Sequence, residues 1–526
     1  MTSILIGIIN SAFEAKLESL RKGNSQVLEK GHTLVLGFNE HIFAIISELV
    51  IANENAKNPC IVILSEMSKE EMEDAIRARI PDTKNTRVIC RSGKPTSVSA
   101  LKNVSVSQCK SIILTFENDI DNIKAVLALA TVLKEDNAFN AHITAIINDE
   151  ENLEVIRIAG GDLVEPLYFK DAISRIMAQT CRQSGLITVY QELFDFSGDE
   201  IYLEQFPQLT GKPFKELPLY FEDCSVMGLK HNDEILINPP GETVVAEGDE
   251  VILLAADDNV AVPLSEPGKI DEKAIAAASV IRPQADRPER LLILGYNDKA
   301  PRVLAELDQY IASGSLVVLA CGQPEAETAF SETTFQNFTL RLEIKDIHSR
   351  AALNKIIQEG FDYVIVMCDY NCTAEESDNQ VLKLLLHLRD LAQITGQEYT
   401  LISELRDSQN QSLAASTKVN DFIIGTNLIC LMMTQISENR SLSQIFNVLL
   451  SDEGSEIYIK PALDYVHPGQ EIDMYTATAA ALQRGHLFLG YKKLEADGQY
   501  KILVNPPKSR FVRFNREDYF IVLAEN

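Results

Sequence analysis

Thr33-Leu-Val-Leu-Gly-Phe-Asn-Glu40 and Leu291-Leu-Ile-Leu-Gly-Tyr-Asn-Asp298 are one motif written twice in a single chain. Each is a run of mainly branched apolar residues that stops at a glycine, passes an asparagine and ends on an acid. Further along, Ile61-Val-Ile-Leu64 is matched by Leu316-Val-Val-Leu319, and Ser111-Ile-Ile-Leu-Thr115 by Tyr363-Val-Ile-Val-Met367. Late in each half, Ile237-Asn-Pro-Pro-Gly241 parallels Val504-Asn-Pro-Pro-Lys508. A last apolar strand closes both halves, Glu250-Val-Ile-Leu-Leu254 and Tyr519-Phe-Ile-Val-Leu523. Matches that recur in the same order mark a tandem duplication.

The period of the pattern gives the fold class. Short continuous apolar runs suit parallel strands buried on both faces. They alternate with helix-period stretches such as Ile42–Ile51, Lys69–Arg79, Ile120–Lys134 and Asp378–Thr395. Strand, helix, strand repeated in this way builds βαβ units and a doubly wound sheet. The expected fold is α/β: two tandem modules, each a Rossmann-like parallel sheet, a connecting helix and a small α+β C-terminal subdomain. The expected bounds are an N-terminal helix over 1–25, Rossmann-like subdomains at 26–168 and 289–426, and C-terminal subdomains at 169–265 and 427–526. Residues 266–288, rich in Pro, Ala and charge, read as a linker. In the connecting segment Asp171–Cys181, Ile173, Met177, Thr180 and Cys181 fall on one face.

Composition narrows the partners. The chain has 526 residues, with 76 acidic against 48 basic side chains and a formal charge of −28. Such a field repels phosphate backbones, so nucleic acid is excluded as a partner and cations are favoured. Nine cysteines without a CxxC pair fit buried thiols in a reducing compartment. No stretch approaches the roughly 18 apolar residues of a membrane helix. Ala12–Gly23 reads as an amphipathic helix, either an ordinary N-terminal one or the lower end of a longer helix.

The turn after the first strand speaks to chemistry. A dinucleotide site carries Gly-x-Gly-x-x-Gly, the second glycine allowing the pyrophosphate close to the backbone. Here Gly37 and Gly295 keep the first glycine, while Asn39 and Asn297 replace the second. Glu40 and Asp298 then add negative charge where phosphate would sit at a helix N-terminus. NAD and ATP are therefore disfavoured. Gly37, Asn39, Glu66 and Gly295 are what remains of a cofactor turn, Glu66 standing where a ribose-binding acid would. The acids after the fourth strand of each half are the candidate cation ligands: Glu117, Asp119 and Asp121, then Asp369, Glu375, Glu376 and Asp378. Ligands in open α/β sheets gather at the carboxyl ends of strands, and Ca²⁺ wants several oxygens. The spacing of the first three is not an EF-hand, for its glycine and final glutamate are missing. The competing reading is helix capping by Asn118 or Asp119, and by Ser377 or Asp378. Histidines are scattered singly, and no Ser/His/Asp set, Walker loop or HExxH is present, so nothing points to an enzyme.

Several longer stretches carry a family resemblance. They are Glu18-Ser-Leu-Arg-Lys-Gly23, His32-Thr-Leu-Val-Leu-Gly37, Val88-Ile-Cys-Arg-Ser-Gly93, Gly248-Asp-Glu-Val251, Ile402-Ser-Glu-Leu-Arg-Asp407, Glu453-Gly-Ser-Glu456 and Ile459-Lys-Pro-Ala462. In these the chain resembles the CASTOR/POLLUX family of ion channels, whose cytosolic part is a tandem of RCK (TrkA-N/TrkA-C) domains. The resemblance implies a gating ring: a homotetramer of eight modules beneath a membrane pore domain of the same or a companion chain. It implies placement at the cytoplasmic face of a membrane and regulation by Ca²⁺ or another small ligand. The alternatives are a soluble nucleotide-binding regulatory subunit of a potassium transporter, an NAD-dependent oxidoreductase and a ligand-free scaffold.

Overall fold

The computed structural model describes residues 23, 25–134, 141–277, 287–415, 417, 419–451 and 454–525. The expected N-terminal helix lies outside them.

Two six-stranded parallel sheets carry the duplication. The first runs β3-β2-β1-β4-β5-β6, from β1 (Thr33–Leu36), β2 (Cys60–Ser65), β3 (Arg87–Ser92), β4 (Ser111–Leu114), β5 (His142–Ile147) and β6 (Val164–Tyr168). The second repeats that order with β11 (Arg290–Leu294), β12 (Ser315–Cys321), β13 (Phe338–Ile344), β14 (Tyr363–Val366), β15 (Thr400–Leu405) and β16 (Asp421–Ile424). Leu36 faces Leu64 and Leu114, as Leu294 faces Ala320 and Val366, so Leu64 corresponds in space to Ala320 and the sequence match of the second strands is corrected by one residue. β1, β2 and β4 are buried along their whole length, which is why they read as unbroken apolar runs. The order reverses between β1 and β4, and between β11 and β14, which opens a crevice at the carboxyl ends.

The small subdomains are antiparallel and also duplicated. β7 (Glu200–Glu204), β8 (Cys224–His231), β9 (Glu234–Ile237) and β10 (Glu250–Ala255) form the sheet β7-β10-β8-β9. β17 (Glu456–Pro461), β19 (Leu487–Leu494), β20 (Tyr500–Val504) and β22 (Tyr519–Ala524) form β17-β22-β19-β20. β18 (Glu471–Asp473) and β21 (Phe511–Arg513) pair beside it. Each sheet has a bulge at a glycine, Gly228 or Gly490. A Cβ on either would lie 2.1 Å from Leu236 O or 2.2 Å from Leu503 O, so no other residue fits.

The chain divides into two compact units, and neither is continuous in sequence. One comprises Met1–Ala172 with Thr426–Ser443, the other Ile173–Gly425 with Gln444–Asn526. The first Rossmann sheet is thus completed by a helix from the second half, within Gly425–Glu438. There His142 Nε2 meets Ile436 O at 2.5 Å, and Lys110 pairs with Glu438 at 2.6 Å. Reciprocally, most of the connecting helix Phe169–Arg182 belongs to the second unit. Its buried Ile173, Met177, Thr180 and Cys181 are the face expected from sequence, and Arg182 pairs there with Glu289 at 3.2 Å.

The stretch read as a linker is structured up to residue 277. Ala274 and Ile275 are core residues beside Tyr465 and Val466, and Ile275 bridges to Val466. Ala274 and Ala276 look like linker in composition but supply buried packing surface.

Candidate functional site

Both turns after the first strand need glycine. Gly37 and Gly295 have φ of +108° and +96°, and a Cβ would press on Thr115 Oγ1 at 2.6 Å or Met367 O at 2.7 Å. The asparagines that replace the second glycine do the same work in each half. Asn39 Nδ2 donates to Thr115 O, and Asn297 Nδ2 to Cys368 O at 2.9 Å. Their Oδ1 atoms accept from His41 N at 3.1 Å and Lys299 N at 3.0 Å. A side chain therefore ties the turn to the neighbouring strand end, where a dinucleotide turn would leave bare backbone for pyrophosphate. Glu40 is paired with Arg79, whose guanidinium lies 4.3 Å over the Phe43 ring. Glu66 is exposed just beyond β2.

The strand-end acids separate into two kinds. Asp119 and Asp378 are buried clasps. Asp119 accepts from Asn148 N and Asp149 N, both at 2.9 Å, from Asn152 Nδ2 at 2.8 Å and from Asn148 Nδ2 at 3.2 Å. Asp378 accepts from Arg406 N at 2.9 Å, Asp407 N at 3.0 Å and Asn410 Nδ2 at 2.8 Å. Each carboxylate thus closes its helix onto the loop after the next strand. The remaining acids lie further out. Glu117, Glu375 and Glu376 are exposed, and Asp121 is held by Asn118 Nδ2 at 2.6 Å, which lowers its proton affinity.

Capping falls partly where expected. Asn118 caps the Asp119–Leu133 helix through Asp121 N. In the second half the helix is Ala374–Thr395, one turn longer than expected, and its cap is Thr373 in a capping box with Glu376. Ser377 and Asp378 are therefore inside the helix, a correction to the sequence reading. The Thr-x-x-Glu pattern was the overlooked signal.

Ca²⁺ takes roughly six to eight oxygens. Among the described residues, no three His, Cys, Asp or Glu side chains converge to hold a metal ion. Asp119 and Asp378, saturated by N–H donors, have no lone pairs to spare for a Ca²⁺ shell.

The second Rossmann sheet does hold an open cleft of about 320 Å³ at its carboxyl edge. It is lined by Gly295, Gln323, Asp346, His348, Asp369 and Ser377 among others, with no lysine or arginine. Asp369 uses Oδ1 to accept from Asn371 N at 2.8 Å, and its Oδ2 lies 3.4 Å from Gln323 Nε2. Gln323 Oε1 and His348 Nδ1 are buried atoms without a hydrogen-bond partner among the described residues. A lining of acids with the unfilled Gln323 carbonyl suits a cation or a ligand rich in N–H groups and opposes phosphate.

Under the Gly295 turn lies a polar cluster that the sequence reading missed. Lys299 Nζ is 3.1 Å from Glu404 Oε1, with both side chains at most 1% exposed. Glu404 also accepts from Asn297 Nδ2 at 2.9 Å, Cys368 N at 3.0 Å and Tyr370 OH at 3.0 Å. Lys299 Nζ sits 3.9 Å from the Tyr370 ring centre. Burial, then the Glu404 charge, push the Tyr370 hydroxyl well above its usual range. The available signal was a glutamate inside the apolar strand Thr400–Leu405.

Comparison with known proteins agrees with this geometry. Residues 33–165 match the family model described as the TrkA-N domain. Residues 170–271 match the one described as Castor and Pollux, part of voltage-gated ion channel. The chain is 28% identical over 99% of its length to "Probable ion channel CASTOR" of Oryza sativa subsp. japonica, covering 63% of that protein. It is 28% identical over the same share to "Ion channel CASTOR" of Lotus japonicus, covering 66%. The chain therefore spans slightly less than two thirds of these relatives. Among solved structures, the human SLO3 gating ring superposes with a TM-score of 0.66 at 14% identity, covering 94% of this chain and 98% of that one. The chain shares its fold with that structure.

Proposed function

We propose that this chain, a relative of the Castor and Pollux ion channels, forms the regulatory ring of a tetrameric cation channel and couples binding of a small cation to pore opening. The observation that carries the ring is an exposed apolar pair repeated in both halves. Leu127 and Leu386 stand at equivalent helix positions, 51% and 53% exposed. Val155 and Leu413, each three residues beyond a clasp asparagine, are 45% and 60% exposed. Apolar surface kept at the same places in two modules is surface that a repeating assembly covers. In a closed ring of four chains, eight modules would present these faces to one another.

The ligand assigned to the ring is a cation, with Ca²⁺ the first to test, and the negative cleft beside Asp346 and Asp369 is its place of entry. A ligand that binds one ring conformation more tightly shifts the population towards it, and that shift would act on the pore.

Two measurements test the proposal. Light scattering on the purified chain should give a tetramer, and L127E/L386E should dissociate it; a monomeric wild type overturns the ring. Calorimetry with CaCl₂ should show saturable heat that D346N/D369N abolishes. Heat unchanged in that variant would refute the cleft, and no heat in wild type would refute Ca²⁺.

A further inference from the structure

The duplicated Asn-Pro-Pro loops join the two small sheets to each other inside the second compact unit. Asn238 and Asn505 both adopt left-handed backbone, each with φ of 46°. Asn238 Nδ2 donates to Ser455 Oγ at 3.1 Å and Gly485 O at 3.0 Å. Asn505 Nδ2 donates to Asp199 Oδ1 at 2.9 Å and Asp223 O at 3.0 Å. Ser455 and Asp199 each precede the first strand of their sheets, β17 and β7, while Gly485 and Asp223 stand just ahead of β19 and β8. The joint is therefore reciprocal, each loop gripping the other subdomain at the same two places.

The symmetry breaks three residues on. The first loop has Gly241 and the second has Lys508. Lys508 is 1% exposed, and its Nζ donates to Ser225 Oγ at 2.9 Å. Ser225 Oγ in turn donates to Asn505 Oδ1 at 2.9 Å. An ammonium has three N–H donors. Among the described residues, Ser225 is the partner of one of them, and no carboxylate lies within ion-pair distance of Nζ. A buried charge so poorly satisfied is costly, whereas the neutral amine is not. Burial accordingly draws Lys508 down to about 8.

The groups facing it come from every element of the joint. Cys224 lies on β8, Glu222 and Asp223 precede that strand, and Asp199 precedes β7. Tyr475, on the Met474–Leu482 helix, donates to Glu222 Oε2 at 2.8 Å. Burial lifts the Cys224 thiol to about 12, so it stays protonated while Lys508 titrates, and burial also raises Asp199. Burial would raise Glu222 too, but hydrogen bonds from Ser509 and Tyr475 outweigh it and keep it low.

We propose that protonation of Lys508 loosens this joint and deprotonation tightens it, making the second unit a sensor of alkaline pH independent of the ligand cleft. A lysine whose proton affinity is lower when the joint is closed favours closure as pH rises from the closed-state value towards that of free lysine. Deuterium exchange of the intact chain tests it through the amides of Lys508, bonded to Glu222 O, and Ser509, bonded to Glu222 Oε1, both across the joint. Corrected for intrinsic exchange, wild-type protection should rise on the order of tenfold between pH 7.5 and 9.5. Lys508→Met should be protected at both pH values. Lys508→Arg, which keeps its charge, should be poorly protected at both. Flat wild-type protection, or the same pH dependence in either variant, overturns the proposal. Should neither variant fold, the wild-type titration alone still decides.

Discussion

Asp378 shows how far a single residue can be read without its surroundings. Sequence placed it, with Asp119, at a strand end, and its chemistry as a carboxylate suggested a cation. Its actual partners are the backbone N–H groups of Arg406 and Asp407 and the side chain of Asn410, between 28 and 32 residues downstream, as those of Asp119 are 29 to 33 downstream. Local pattern carries no information about such distant N–H donors, so the inward turn was invisible. Removing the acceptor leaves those donors buried and unpaired. Asp378→Ala should therefore cost about 3 kcal/mol in urea unfolding, and Asp378→Asn less. The exposed Asp121→Asn makes the control, and an equal loss there would contradict the clasp. Glu404 was legible in principle, because a carboxylate inside a buried parallel strand needs a cation or several N–H donors, here Lys299 with Asn297 and Cys368 N.

At the scale of elements, the strands were plain in the sequence, since burial on both faces leaves a continuous apolar run. Connections were harder. Gly185, with φ of +93°, separates the Phe169–Arg182 helix from Leu186–Phe194, and its N–H meets both oxygens of Asp421 at 2.9 and 3.1 Å. Asp421 begins β16, far away in sequence. Burial raises it to about 6, against the Gly185 hydrogen bonds and the Lys492 charge, which lower it. The folded chain therefore holds this proton more tightly than the unfolded one. The resulting stabilisation is complete below about pH 4 and is lost as pH rises through 6. Asp421→Asn keeps an acceptor without the charge, so it should flatten the melting-temperature profile between pH 4 and 6. At pH 7 it should gain on the order of 1 kcal/mol. An unchanged profile would remove Asp421 as its source. At the sheet bulges, Gly490→Ala places a methyl on Leu503 O and should destabilise by about 2 kcal/mol or more in thermal unfolding.

For the whole molecule, the duplication and its α/β modules were available from sequence because repeated motifs preserve their order, while the gating-ring reading came from the family resemblance. The division into units was not, because helix periodicity shows which face is apolar but not which sheet it covers. Ring closure is the prediction at this scale, and the assembly state of L127E/L386E reads it directly. The exchange of helices also orders events at the ribosome. The first Rossmann sheet, though N-terminal, lacks its 426–443 segment until most of the chain has been synthesised. Domains that complete themselves fold as they emerge, whereas this one must wait with apolar surface uncovered. A nascent chain arrested near residue 288 should therefore be cut readily by protease in its first sheet. One arrested beyond residue 443, with enough further length to clear the tunnel, should resist. Equal resistance of the two would show that the sheet does not need the borrowed helix.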